Sequence, residues 1–71
     1  MTTLTVTHDK TKAKGFFFAA SPEFSKGVFI HSKHCSPDDF TDVQVGSLIE
    51  VDAVETTSRG FACAGRAVLI D

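Results

Sequence analysis

The chain has 71 residues, a formal net charge of -2, 42 % hydrophobic and 23 % charged residues. That length holds one domain, spanning residues 1–71, with a small core, and the ordinary composition excludes a disordered or fibrous chain. The acidic balance excludes a generic polyanion binder, whose domain is usually basic, so affinity for nucleic acid would have to come from a locally positive face. The opening Met1-Thr2-Thr3-Leu4-Thr5-Val6 has no signal-peptide pattern, and no segment approaches membrane-spanning length. The two cysteines, Cys35 and Cys63, are therefore expected as reduced, mostly buried thiols in a cytoplasmic protein.

In chain order, Leu4 to His8 alternates in polarity and is rich in β-branched residues, which predicts a first strand. Asp9 to Ala13 is a polar turn in which Lys10, Lys12 and, just beyond it, Lys14 cluster. Gly15 opens a second strand that runs to about Ala20. Ser21 to Gly27 is punctuation, broken by Pro22 and Gly27, with Phe24 expected to pack down as a plug. Val28 to His31 is a third strand. Ser32 to Gly46 is the longest irregular stretch; Ser36 as a cap and Pro37 at the first position predict one helical turn, with Phe40, Val43 and Val45 anchoring the loop. Leu48 to Thr56 reads as a fourth strand, with Ile49, Val51 and Ala53 on the buried face and Glu50, Asp52 and Val54 on the wet one. Thr57 to Gly60 is a turn. Phe61 to Ile70 is a fifth strand whose small residues and Gly65 suit the tight bend of a small closed sheet. Five short strands with turns between them predict an all-β fold, a five-stranded antiparallel barrel of the oligonucleotide-binding (OB) or SH3-like kind.

The run Phe16-Phe17-Phe18 carries the functional signal. Successive side chains on a strand point to opposite faces, so three consecutive rings cannot all be buried. With Phe17 in the core, Phe16 and Phe18 stand outside. The next strand repeats the pattern, with Val28 and Ile30 on one face and Phe29 and His31 on the other. Together the outward faces make one patch of Phe16, Phe18, Phe29 and His31, with Lys14 beside it. Aromatic faces beside positive charge form a platform for the bases of single-stranded nucleic acid.

These residues resemble a known family. Lys14-Gly15-Phe16-Phe17-Phe18-Ala19 is similar to the first ribonucleoprotein motif of cold-shock domains, and Val28-Phe29-Ile30-His31 to their second. The spacing from His31 to Phe40 and from Phe40 to Gly46 fits that family without a gap, and Ser58-Arg59-Gly60 resembles its turn before the last strand. The resemblance implies a five-stranded OB barrel that binds single-stranded RNA or DNA with low sequence specificity, in the manner of an RNA chaperone, and needs no cofactor. It implies stacking on Phe16, Phe18, Phe29 and His31, a loop aromatic at Phe40, and contacts from Lys14 and Arg59 at the rim, with Lys12 in the basic cluster alongside. The chain departs from the family pattern at several points. The first strand lacks the usual Trp and Phe and offers His8 instead, Phe17 replaces a Gly, Ala19 replaces an Ile, and Ser32 replaces an aromatic. Fewer rings imply weaker stacking, at about 1–3 kcal/mol per base.

Other constellations carry less. His31, His34 and Cys35 lie close together but lack the second ligand pair of a zinc finger. No pattern points to a nucleophile with its base and an oxyanion site, so no enzyme is expected. The rival class is protein interaction. The aromatic patch would then face a partner protein or a second copy. The edges of a partly open barrel, with the 32–46 loop as a hinge, would permit a strand-exchanged homodimer in place of a monomer.

Overall fold

In the computed structural model, which describes residues 2–10 and 12–70, 11 core side chains sit inside a closed barrel of five strands. Met1, Thr11 and Asp71 of the expected 1–71 domain, Thr11 falling in the lysine turn, lie outside the described residues. The strands are β1 (Thr2–His8), β2 (Phe16–Ala20), β3 (Val28–His31), β4 (Leu48–Thr57) and β5 (Gly60–Leu69), with a six-residue helix α1 (Pro37–Asp42) between β3 and β4. Around the barrel the order is β1-β2-β3-β5-β4, closed by pairing of β4 with β1. The expected antiparallel arrangement holds at every seam except β3–β5, which is parallel. This is an OB-like barrel. Closure pairs both would-be outer strands, so the partly open edge expected from the sequence is absent. Among the described residues, no helix is long and apolar enough to cross a membrane.

The core follows the period of two. Leu4 and Val6 enter it from β1, Phe17 and Ala19 from β2, Val28 and Ile30 from β3, and Ile49 and Val51 from β4. Each of these side chains contributes on the order of 1.5–3 kcal/mol by burial, Ala19 less. Phe17, with no exposed surface, is the largest.

The helix closes one end of the barrel. Ser36 Oγ accepts from the Asp39 N–H at 3.2 Å, with Pro37 at the first position, as the sequence pattern requires. Phe40 then lays its ring against Phe17, centroids 5.8 Å apart, and Val43 is buried behind it. At the other end of the helix Lys12 Nζ donates to the carbonyls of Thr41 and Val43, a cation on the negative pole of the helix. The Asp39 carboxylate meanwhile accepts from the Leu69 N–H at 3.2 Å, tying the helix to the end of β5. Val45, expected as a third anchor, is instead 58 % exposed in the turn before β4.

A bulge corrects the expected face of β4. Val51 pairs with Ala67 and Ala53 with Ala64, so β5 has one residue more than β4 over this interval. The inward set therefore passes from Ile49 and Val51 to Val54, which packs against the core, while Ala53 is exposed. Gly65 makes the bulge possible. Its φ is +81°, and a Cβ there would lie 2.8 Å from Asp52 Oδ2, the same oxygen that accepts from the Arg66 N–H at 3.0 Å.

Gly65→Ala is expected to lower stability by about 2 kcal/mol or more in urea unfolding, through backbone strain and the collision with Asp52. Gly46→Ala also places a side chain at positive φ but meets nothing within 4 Å, so it should cost clearly less. Equal losses for the two would show that the Asp52 contact is unimportant. Lys12→Met, which keeps the aliphatic stem, should cost about 0.3–1 kcal/mol by removing the cation from the helix end, read in the same denaturation series.

Candidate nucleic-acid interface

The antiparallel register of β2 and β3 sets the outward rings face to face. Phe18 pairs with Phe29, and Phe16 with His31. Phe29 is the hub. Its ring centroid lies 5.0 Å from Phe16, 5.9 Å from Phe18 and 6.3 Å from His31. Phe16 and Phe18 meet edge to face at 5.8 Å. All four side chains are partly exposed. They brace one another, at about 0.5–1.5 kcal/mol per aromatic pair, and the remaining ring surface faces out of the barrel.

His8 joins this surface through a second bulge. Val6 pairs with Ala19 and His8 with Phe18, two steps on β1 against one on β2. Strict alternation would send His8 inward with Leu4 and Val6. The irregularity turns it out instead, 6.2 Å from the Phe18 ring. It is thus the one aromatic ring that β1 adds to the patch.

His31 is held by its own turn. Its Nδ1 accepts from the Lys33 N–H at 3.1 Å, capping the short 3-10 turn Ser32–His34. The ring proton therefore sits on Nε2, leaving a donor for a ligand. His34 has the opposite tautomer. Its Nδ1 lies 2.6 Å from the Gly65 carbonyl, which can only accept, so Nδ1 carries the proton and the ring clamps this turn to β5.

Two hollows flank the patch. The larger, about 760 Å³, is lined by Phe16, Phe18 and Phe29, by Lys26 and Gly27 before β3, and by Thr57, Arg59, Gly60, Phe61 and Ala62 around the β4–β5 turn. The smaller lies at the Gly15 end and is lined by Lys12, Lys14, Ser32 and Phe40 among others. Among the described residues, no carboxylate lines either hollow. The charged side chains that line them are cationic, Lys26 and Arg59 in the larger and Lys12 and Lys14 in the smaller, in a chain of net charge -2.

The structure therefore brings together Phe16, Phe18, Phe29, His31 and His8, and sets Arg59 in the large hollow and Lys14 in the small one. Two further candidates, Phe40 and Lys12, line the small hollow with Lys14 and are also engaged in the fold. Phe40 gives its ring to Phe17 and stands outside the aromatic cluster. Lys12 has its ammonium committed to the end of α1, 6.0 Å from the Phe40 ring. Lys26, Thr57 and Phe61 were not legible as site residues. Phe61 reaches the hollow because β3 and β5 pair in parallel, Val28 beside Phe61 and Phe29 beside Ala62, a contact with no local sequence signal. Phe24 does pack down, its ring 5.0 Å from Phe61.

Both cysteines are free thiols set for packing. Burial pushes Cys35 from 9.0 up to about 11, with the Asp39 carboxylate adding to the rise. Burial likewise raises Cys63 to about 11, with smaller contributions from Cys35, Asp52 and Glu55. Such thiols are protonated near neutrality. Among the described residues, no group of three His, Cys, Asp or Glu side chains is placed to hold a metal ion.

No protein-family model matches this chain, and a search of curated proteins finds no match. The fold and its geometry carry the reading: a small closed five-stranded barrel with an outward aromatic cluster is compatible with an OB-type nucleic-acid binder.

The raised thiols predict a pH dependence with a definite sign. Below about pH 9 the thiols are protonated in both folded and unfolded chains. Between about 9 and 11 the unfolded chain ionises first, so stability falls as pH rises. Urea midpoints measured across that window should decline less steeply in Cys35→Ala than in the parent. An unchanged slope would mean the thiol is not desolvated.

Proposed function

We propose that this protein binds single-stranded nucleic acid in the manner of a cold-shock domain, stacking unpaired bases on surface rings with low sequence specificity and acting as an RNA chaperone. The cluster of Phe16, Phe18 and Phe29, edged by His8 and His31 and flanked by hollows lined by lysine and arginine, is the observation that carries this reading. Each base presents a π face, so such a surface tolerates sequence. Lys14 and Arg59, exposed on opposite sides of the patch, supply the charge that a phosphate backbone meets. Aromatic rings and cations line the larger hollow, which supports a binding role.

The test is a titration of a labelled thymidine oligomer and an unstructured RNA at low and moderate salt. Phe18→Ala or Phe29→Ala is expected to weaken binding roughly five- to a hundredfold, the loss of about one stacked base. Lys14→Ala should flatten the salt dependence by about 0.7 in log–log slope. Binding to neither oligomer at tens of micromolar protein would overturn the proposal, and concentration-dependent self-association of the same sample would then assign the patch to protein contact.

A further inference from the structure

We infer that Lys12 is a positioning residue for the nucleic-acid surface: its side chain straps the 3-10 turn Lys12–Lys14 to the end of α1 and so holds Lys14 where a phosphate meets it. This inference rests on the nucleic-acid reading above. The two lysines share one turn but differ in exposure, Lys12 being half-buried and Lys14 exposed. The Lys12 ammonium donates to the Thr41 carbonyl at 3.0 Å and to the Val43 carbonyl, so two of its three donors are used inside the fold. Those carbonyls belong to the negative pole of α1, which favours a cation.

The turn has few other ties. None of its three residues is buried, so packing does not hold it. Its own backbone bonds are local: the Lys12 N–H donates to the Asp9 carbonyl at 3.1 Å, and the Gly15 N–H to the Lys12 carbonyl at 2.9 Å. Two bonds reach distant parts of the chain. The Lys12 ammonium reaches α1 on one side of Lys14, and the Gly15 carbonyl accepts from the Ser32 N–H at 2.8 Å on the other. Lys14 is thus bracketed by two anchors. The small hollow lies between the turn and the helix, with Lys12 and Lys14 on one wall and Phe40 and Thr41 on the other, and the Lys12 side chain crosses it. A cation whose backbone is already fixed loses less conformational freedom when it meets a phosphate. The contribution of Lys14 therefore depends on Lys12, although the two ammonium groups serve different partners.

The test is a titration of a labelled thymidine oligomer across a salt series, on the parent, Lys12→Met, Lys14→Ala and the double variant. Lys14→Ala should lower the log–log salt slope by about 0.7. Lys12→Met should lower the parent slope by a similar amount and change nothing further in the Lys14→Ala background. Lys12→Arg keeps a cation and its donors and should retain the parent slope. Lys12→Gln is a second neutral variant, read in the same way should Lys12→Met fail to fold. In the free protein, backbone order parameters at Ala13 and Lys14 should fall in Lys12→Met and recover in Lys12→Arg. A slope loss that persists in full in the Lys14→Ala background would make Lys12 a phosphate contact itself. A Lys12→Met slope equal to the parent's would confine Lys12 to the fold. Either result overturns the inference while the ring platform stands. If the parent binds no oligomer at any salt, the nucleic-acid reading falls and this inference falls with it.

Discussion

The alternation of side chains along β2 is the constraint from which the rest of this protein follows. Three phenylalanines in a row meet a backbone that can turn only every second one inward. Phe17 takes the interior, where it is fully buried and receives the Phe40 ring from α1. Phe16 and Phe18 are thereby forced out on either side of it. The same residue that anchors the core thus fixes the position of the surface rings.

Irregularities in the barrel adjust this plan where strict alternation would fail. The bulge in β1 turns His8 outward beside Phe18. The bulge at Gly65 shifts the inward parity of β4 from Val51 to Val54. Both increase local twist, which a small barrel needs in order to close. The first enlarges the ring surface; the second bends the long β4–β5 hairpin, whose turn carries Arg59 into the hollow beside Phe29.

Charge is divided in the same spirit. Asp38 and Asp39 stand in the first turn of α1, where the helix pole favours them, and Lys12 covers the other pole. One lysine of the basic cluster is spent on the fold, while Lys14 stays exposed near the rings. Most acidic side chains lie on α1 and β4, and Glu55 of β4 pairs with Ala62 at the larger hollow. Binding to such a surface would depend on stacking first and on charge second.

Residue order alone fixed the parity of β2 and β3, because alternation is a local property of an extended chain. The inward Phe17, the outward Phe16, Phe18, Phe29 and His31, and the Ser36–Pro37 start of α1 could all be read from neighbours a few positions apart. Only the tertiary structure decided which distant residues meet these. The parallel seam of β3 with β5 brought Phe61 and Ala62 to the patch, and docking of α1 gave Phe40 and Lys12 partners within the fold beside the small hollow. The parity switch in β4 was likewise hidden, since it comes from an extra residue in the partner strand. Pairing across the barrel is set by closure of the whole sheet, and closure leaves no mark in any short stretch of sequence.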